Sequence, residues 1–183
     1  LWRESGGRQL DAESFCPTQR ERAAAVPAAL STPLTPAEQD RVKAVPTRNM
    51  QAWESYQAGR RALSPRTSAG LTQAREFFEA AIDLDPAFAQ PYAGLADTIW
   101  LSVGSAGILG RPAEPARVEV EALLHAALRL DPELVEALTT TANLAAVRHD
   151  YAGAEAGFRR AIELNSNYPT AHQWYAALLG MQG

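Results

Sequence analysis

At 183 residues the chain has room for one domain, or for one domain and a tail. A content of 46% hydrophobic and 21% charged residues excludes an intrinsically disordered chain, and a net charge of -4 removes any general attraction to nucleic acid or to an anionic membrane. No apolar run approaches the roughly 18 residues that cross a bilayer, and Cys16 is the only cysteine, so no intrachain disulfide can form. Alanine is abundant while Val, Ile and aromatic residues are sparse, which predicts helices throughout. The chain opens on LWRESGG without an initiator Met or a signal-peptide pattern and stops at GMQG partway through a unit. It reads as a piece of a longer protein, and its compartment stays open.

Residues 1–47 form an amino-terminal segment. Thr18 to Ala25 can be helical, but Pro17, Pro27, Pro33 and Gly6-Gly7 interrupt any longer element. Thr35 as a cap, Pro36 at the first helical position and Glu38 three residues after the cap predict a short helix over 36–44, ended by Pro46. Two readings stand side by side: a linker with one short helix, or the tail of a preceding domain.

From residue 48 onward the chain is organised by a phrase written three times: AIDLDP at Ala81 to Pro86, ALRLDP at Ala127 to Pro132, and AIELNS at Ala161 to Ser166. Each copy is the end of an apolar-faced helix closed by residues that cannot continue it or that favour caps. Five, eight and twelve residues before Pro86 stand Ala81, Phe78 and Ala74. The same offsets from Pro132 give Ala127, Leu124 and Val120, and from Ser166 they give Ala161, Phe158 and Ala154. These offsets fall on one helical face, where small residues admit a neighbouring helix and the bulky one fills the gap. A partner helix precedes each copy. Tyr92, Leu95, Ala96 and Ile99 share one face; so do Leu138, Thr141, Ala142 and Ala145, and the first unit places Ser55, Ala58, Gly59 and Ala62 equivalently. Half of a fourth unit follows Ser166, with His172, Tyr175, Ala176 and Leu179.

This pattern resembles the tetratricopeptide repeat, a 34-residue helix-turn-helix written W-x2-L-G-x2-Y, then A-x3-F, then P. The resemblance implies an all-α, right-handed solenoid of antiparallel helix pairs. Its units are about 52–88, 89–134 and 135–168, with a half unit at 169–183. The first unit carries about three extra residues around SPRTSAG, and the second about twelve within 102–117. The wording is also similar to a narrower bacterial class, the repeat regions that follow TolB-like domains in winged-helix regulators, nucleotide cyclases and kinases. The residues that carry this likeness are LTPAE (Leu34 to Glu38), the P-T-R-N-x-x-A-W-x-x-Y-x-x-G-R phrase from Pro46 to Arg60, and His149 to Ala176. In that class a phrase L-W-x-E-x-Y-D-R-x-L stands upstream. Leu1, Trp2, Glu4, Arg8 and Leu10 fit it, whereas Gly6-Gly7 replace Tyr-Asp, and Phe15 and Gln19 are one residue further apart than in the class. The likeness implies the sensory or docking end of a larger signalling or transcription-regulatory protein of the bacterial cytoplasm or periplasm.

No catalytic constellation emerges. GSAGILG (Gly104 to Gly110) lacks the Lys-Ser/Thr of a phosphate loop, and His125, His149 and His172 lie in three different units without metal-ligand spacing. There is no G-x-S-x-G, and the acids Asp83, Asp85 and Asp131 sit at helix ends, where capping explains them. Neither enzyme, metal nor cofactor is expected. The resemblance implies instead an extended protein or peptide partner held on the face of the first helices. Off the packing face, those helices carry Trp53, Tyr56, Arg60, Asp97, Trp100, Thr139, Asn143 and Gln173. Each Trp can equally pack between units. The subclass that grips a C-terminal carboxylate uses Lys and Arg here; Asn143 is the only matching member and Lys43 the only lysine, so that mode is not expected. Two further expectations concern a small molecule enclosed by the 102–117 extension as a lid, with Ile108-Leu109 apolar between glycines, and a homodimer through Trp174, Tyr175 and Leu178 of the open fourth unit.

Overall fold

The computed structural model describes residues 46–103 and 114–182. The helices expected at 18–25 and 36–44, and the middle of the 102–117 extension, lie outside the described residues. The chain divides into two compact units, Leu1–Met50 and Gln51–Gly183, and the repeats lie in the second.

The described residues form seven helices: α1 (Met50–Leu63), α2 (Ser68–Leu84), α3 (Ala89–Val103), α4 (Glu114–Leu130), α5 (Val135–Val147), α6 (Tyr151–Leu164) and α7 (Pro169–Gln182). Each second helix packs on the first helix of the next unit, and the first helices α3, α5 and α7 also touch one another in sequence. The second unit's helices reach into both ends of the 102–117 stretch, because α3 runs to Val103 and α4 starts at Glu114. The result is an all-α solenoid of antiparallel helix pairs with three pairs and a half.

The repeated phrase earns its form in the turns. Asp85 Oδ1 accepts the Ala87 N–H at 3.1 Å, Asp131 Oδ1 accepts that of Glu133 at 3.0 Å, and Asn165 Oδ1 accepts that of Asn167 at 3.1 Å. Behind each side-chain bond, the residue three places on donates its N–H to the carbonyl of Asp85, Asp131 or Asn165. Asp and Asn suit this turn because their short side chains reach the backbone two residues ahead. Pro86 and Pro132 sit where no N–H is required, so Ser166 can replace them without loss of a bond. The turns deliver Phe88, Leu134 and Tyr168 to equivalent places; Phe88 and Leu134 are buried, and Tyr168 is half-buried.

Small residues set the helix spacing. Ala74, Phe78, Ala81, Val120, Leu124, Ala127, Ala154, Phe158 and Ala161 are all buried, as are Leu95, Ala96 and Ile99, with Tyr92 half-buried. Phe78 lies between two glycines. A Cβ on Gly59 would stand 2.7 Å from Phe78 Cε1, and one on Gly94 would stand 2.6 Å from Phe78 Cζ. Absence of a side chain at both positions is what lets α1 and α3 close on the ring. On the fourth unit, Trp174 and Leu178 are 4% and 1% exposed, so they are not the open surface that their lack of a second helix implies. They turn inward and pack with the core of the preceding pair. Leu179 and Met181 are the exposed apolar side chains of α7, each at 47%.

Candidate functional site

The first helices together wall a cavity of about 510 Å³. From α1 come Tyr56, Arg60 and Leu63, and from the α1–α2 turn Ser64 and Arg66. α3 contributes Gln90, Gly94, Asp97 and Leu101, α5 contributes Glu136, and the start of α7 brings Thr170 and Trp174 with Tyr168 just before it.

A polar chain crosses this cavity. Arg60 Nη1 donates to the Tyr56 hydroxyl at 3.0 Å and stands 3.7 Å from Glu136 Oε1, so it links α1 to α5. The guanidinium also lies 5.9 Å from the centroid of the Tyr56 ring, where the negative π face attracts it. Asp97 accepts a hydrogen bond from the Thr140 hydroxyl across the α3–α5 seam. Burial pushes the Asp97 carboxyl up to about 7, with Glu136 adding to the rise while Thr140, Arg60 and Arg66 oppose it. Burial also raises Tyr56 and Tyr168 above the ordinary phenol range; Arg60 opposes the first, and Asp97 and Glu136 reinforce the second.

The structure gathers three of the eight residues expected on this face: Tyr56, Arg60 and Asp97 line the cavity. The others depart from that expectation. Trp53 is half-buried, its ring 6.2 Å from Phe88 and 5.8 Å from Tyr56, so it packs. Trp100, Thr139 and Asn143 are 2%, 0% and 3% exposed. Thr139 answers burial by donating its hydroxyl to the Val135 carbonyl at 2.8 Å. Trp100 Nε1 and Asn143 Oδ1 are buried without a hydrogen-bond partner among the described residues. Gln173 is exposed and does not line the cavity.

Cavity residues absent from the expected set include Gln90, Glu136, Thr170 and Tyr168. The first three occupy the second position of their units, which begin at 89, 135 and 169. Their recurrence at one repeat position was a signal available without coordinates. Tyr168 had a weaker one: it is the polar member of a series whose other members are Phe88 and Leu134.

Two solved structures share this fold. The Arabidopsis OM64 tetratricopeptide domain matches 69% of this chain and 93% of its own at a TM-score of 0.52 and 20% identity. The first tetratricopeptide domain of Spaghetti (RPAP3), bound to the HSP90 peptide SRMEEVD, matches 76% and 98% at a TM-score of 0.54 and 12% identity. The fold is a tetratricopeptide-like array. No protein-family profile matches the sequence, and no curated protein matches it either. Among the described residues of the array, no group of three or more His, Cys, Asp or Glu is placed to hold a metal ion, and no helix is long and apolar enough to cross a membrane.

Proposed function

We propose that this array is a non-catalytic scaffold that holds a protein or peptide segment against α1, α3, α5 and α7. In this reading it is the docking or sensory part of a larger bacterial signalling or transcription-regulatory protein. The observation that carries the proposal is the cavity itself: about 510 Å³, walled by successive first helices and lined by Tyr56, Arg60, Asp97 and Glu136. Pockets of several hundred cubic ångströms with a few convergent polar groups are where ligands bind. The Spaghetti domain, of like fold, is bound to a peptide, which supports the class of partner.

The test is a screen of the chain against a random peptide library, followed by the Arg60→Ala variant. Arg60 is exposed, its side chain 48% accessible, so its loss should leave the melting temperature unchanged while weakening the captured peptides several-fold. An Arg60→Ala protein that unfolds would remove Arg60 from the binding face. Native mass spectrometry of the purified chain separates this reading from a sensor of small molecules: a stoichiometric bound compound favours the sensor. We also propose self-association through α7, on the exposure of Leu179 and Met181. Sedimentation should then give a concentration-dependent dimer, and a monomer at high concentration would reject it.

A further inference from the structure

Most charges in the cavity are already answered. Arg60 shares its guanidinium between Tyr56 and Glu136. Arg61 and Arg66 also line the cavity, but both are exposed, so water and salt screen them. Asp97 differs. One of its oxygens takes the Thr140 hydroxyl. No nitrogen of Lys, Arg or His among the described residues lies within the 4.0 Å of an ion pair from its carboxylate. The carboxylate therefore stands in the wall of a cavity with an acceptor oxygen unused and Glu136 nearby on α5.

Such a group penalises an anionic ligand that contacts it. It rewards a cation, because a contacting positive charge offsets the cost of keeping a carboxylate out of water. We propose that the cavity is a receptor for a basic side chain of the bound segment, with Asp97 accepting its N–H groups beside the Arg60–Glu136 pair. This rests on the peptide-binding reading above and names the chemistry of its partner. An Arg side chain suits the site best: its planar fork can reach the free oxygen of Asp97 while its face lies against Tyr56 or Tyr168, both of which line the cavity. Binding is then sensitive to acid, since a protonated Asp97 neither attracts the cation nor keeps its acceptor. The groups facing Asp97 from the surrounding elements are Glu136 and Thr140 of α5, Arg60 and Tyr56 of α1, Arg66 of the following turn, and Tyr168 ahead of α7.

The test uses acetylated and amidated octapeptides, so that only side chains carry charge. Sublibraries with one position fixed as Arg, Lys, Glu or Ala are bound to the whole chain at pH 8. The expected result is at least tenfold tighter binding of the Arg-fixed set than of the Glu-fixed set. Asp97→Asn, which keeps shape and the Thr140 contact, should erase most of that preference, and Glu136→Gln should reduce it. Lowering the pH from 8 to 6 should weaken the wild-type preference and leave the Asp97→Asn protein indifferent. A preference for Glu, or peptide binding that ignores charge, overturns the basic-side-chain receptor and leaves the scaffold reading standing. Absence of binding to every sublibrary overturns both.

Discussion

The ring of Phe78 meets α3 at Gly94, the carboxylate of Asp97 stands one turn further along the same helix, and the two are built on opposite terms. Around Phe78 the packing leaves no slack: the ring is 0% exposed and touches Gly59 and Gly94 so closely that neither can carry a methyl group. Around Asp97 the structure tolerates a cavity, an unused acceptor and a carboxyl driven toward protonation. The first region yields stability and has nothing to offer a ligand. The second costs stability and is kept open. Gly94 and Asp97 are nearly one helical turn apart, so one short helix serves both framework and groove.

Substitutions should therefore fall into two groups of opposite sign. Phe78→Ala should cost about 3–5 kcal/mol, toward the upper end because flanking glycines have no side chains to fall into the space. Denaturant titration would check it, and a loss near 1 kcal/mol would mean the ring is not clamped. Phe158→Ala, also fully buried, should cost about as much. Asp97→Asn should stabilise the chain at pH 8, by at most about 4 kcal/mol. The sign follows from the two states. Unfolded, the carboxyl releases its proton near its ordinary 3.8, whereas folded it holds it to about 7. Between those values the native state binds more protons, so the contribution of Asp97 to wild-type stability is greatest below about pH 4, declines as pH rises through the window, and levels off above 7. The Asn variant should lack this component, and melting temperatures from pH 4 to 8 would show the two curves diverging.

Gly59→Ala should destabilise by about 1–3 kcal/mol despite alanine's better helix propensity, because the new methyl meets a ring with no room to withdraw. A neutral result would show that α1 can step back from Phe78. Asn143→Leu should be neutral or stabilising by about 1 kcal/mol, since it removes a buried carbonyl that has no partner. The smallest effect should be that of Arg60→Ala, within about 0.5 kcal/mol on stability. If Arg60→Ala costs more than Gly59→Ala, the division between framework and groove is misplaced.

Much of the fold was legible before any coordinates. Ala74, Phe78 and Ala81 announce a packing face by spacing alone, and the three Asp or Asn residues at the ends of the phrase announce a turn by chemistry alone. The cavity was less legible. Asp97 and Asn143 hold the ninth position of their units, yet Asp97 lines the cavity while Asn143 is buried at 3% exposure. Nothing local distinguishes them. What separates them is the packing of neighbouring helices around each, which no short stretch encodes. Trp100 shows the same ambiguity: an aromatic residue on a helix flank suits either a groove or a seam.

The sequence by itself determined where helices end, which face of each packs, and how many pairs are stacked, because capping and a 3.6-residue period are properties of short stretches. Only the tertiary structure decided which polar residues remain in a cavity and which are sealed. That choice is set by interhelical distance, a property of two helices at once, and an ångström of approach is enough to turn a wall into a core.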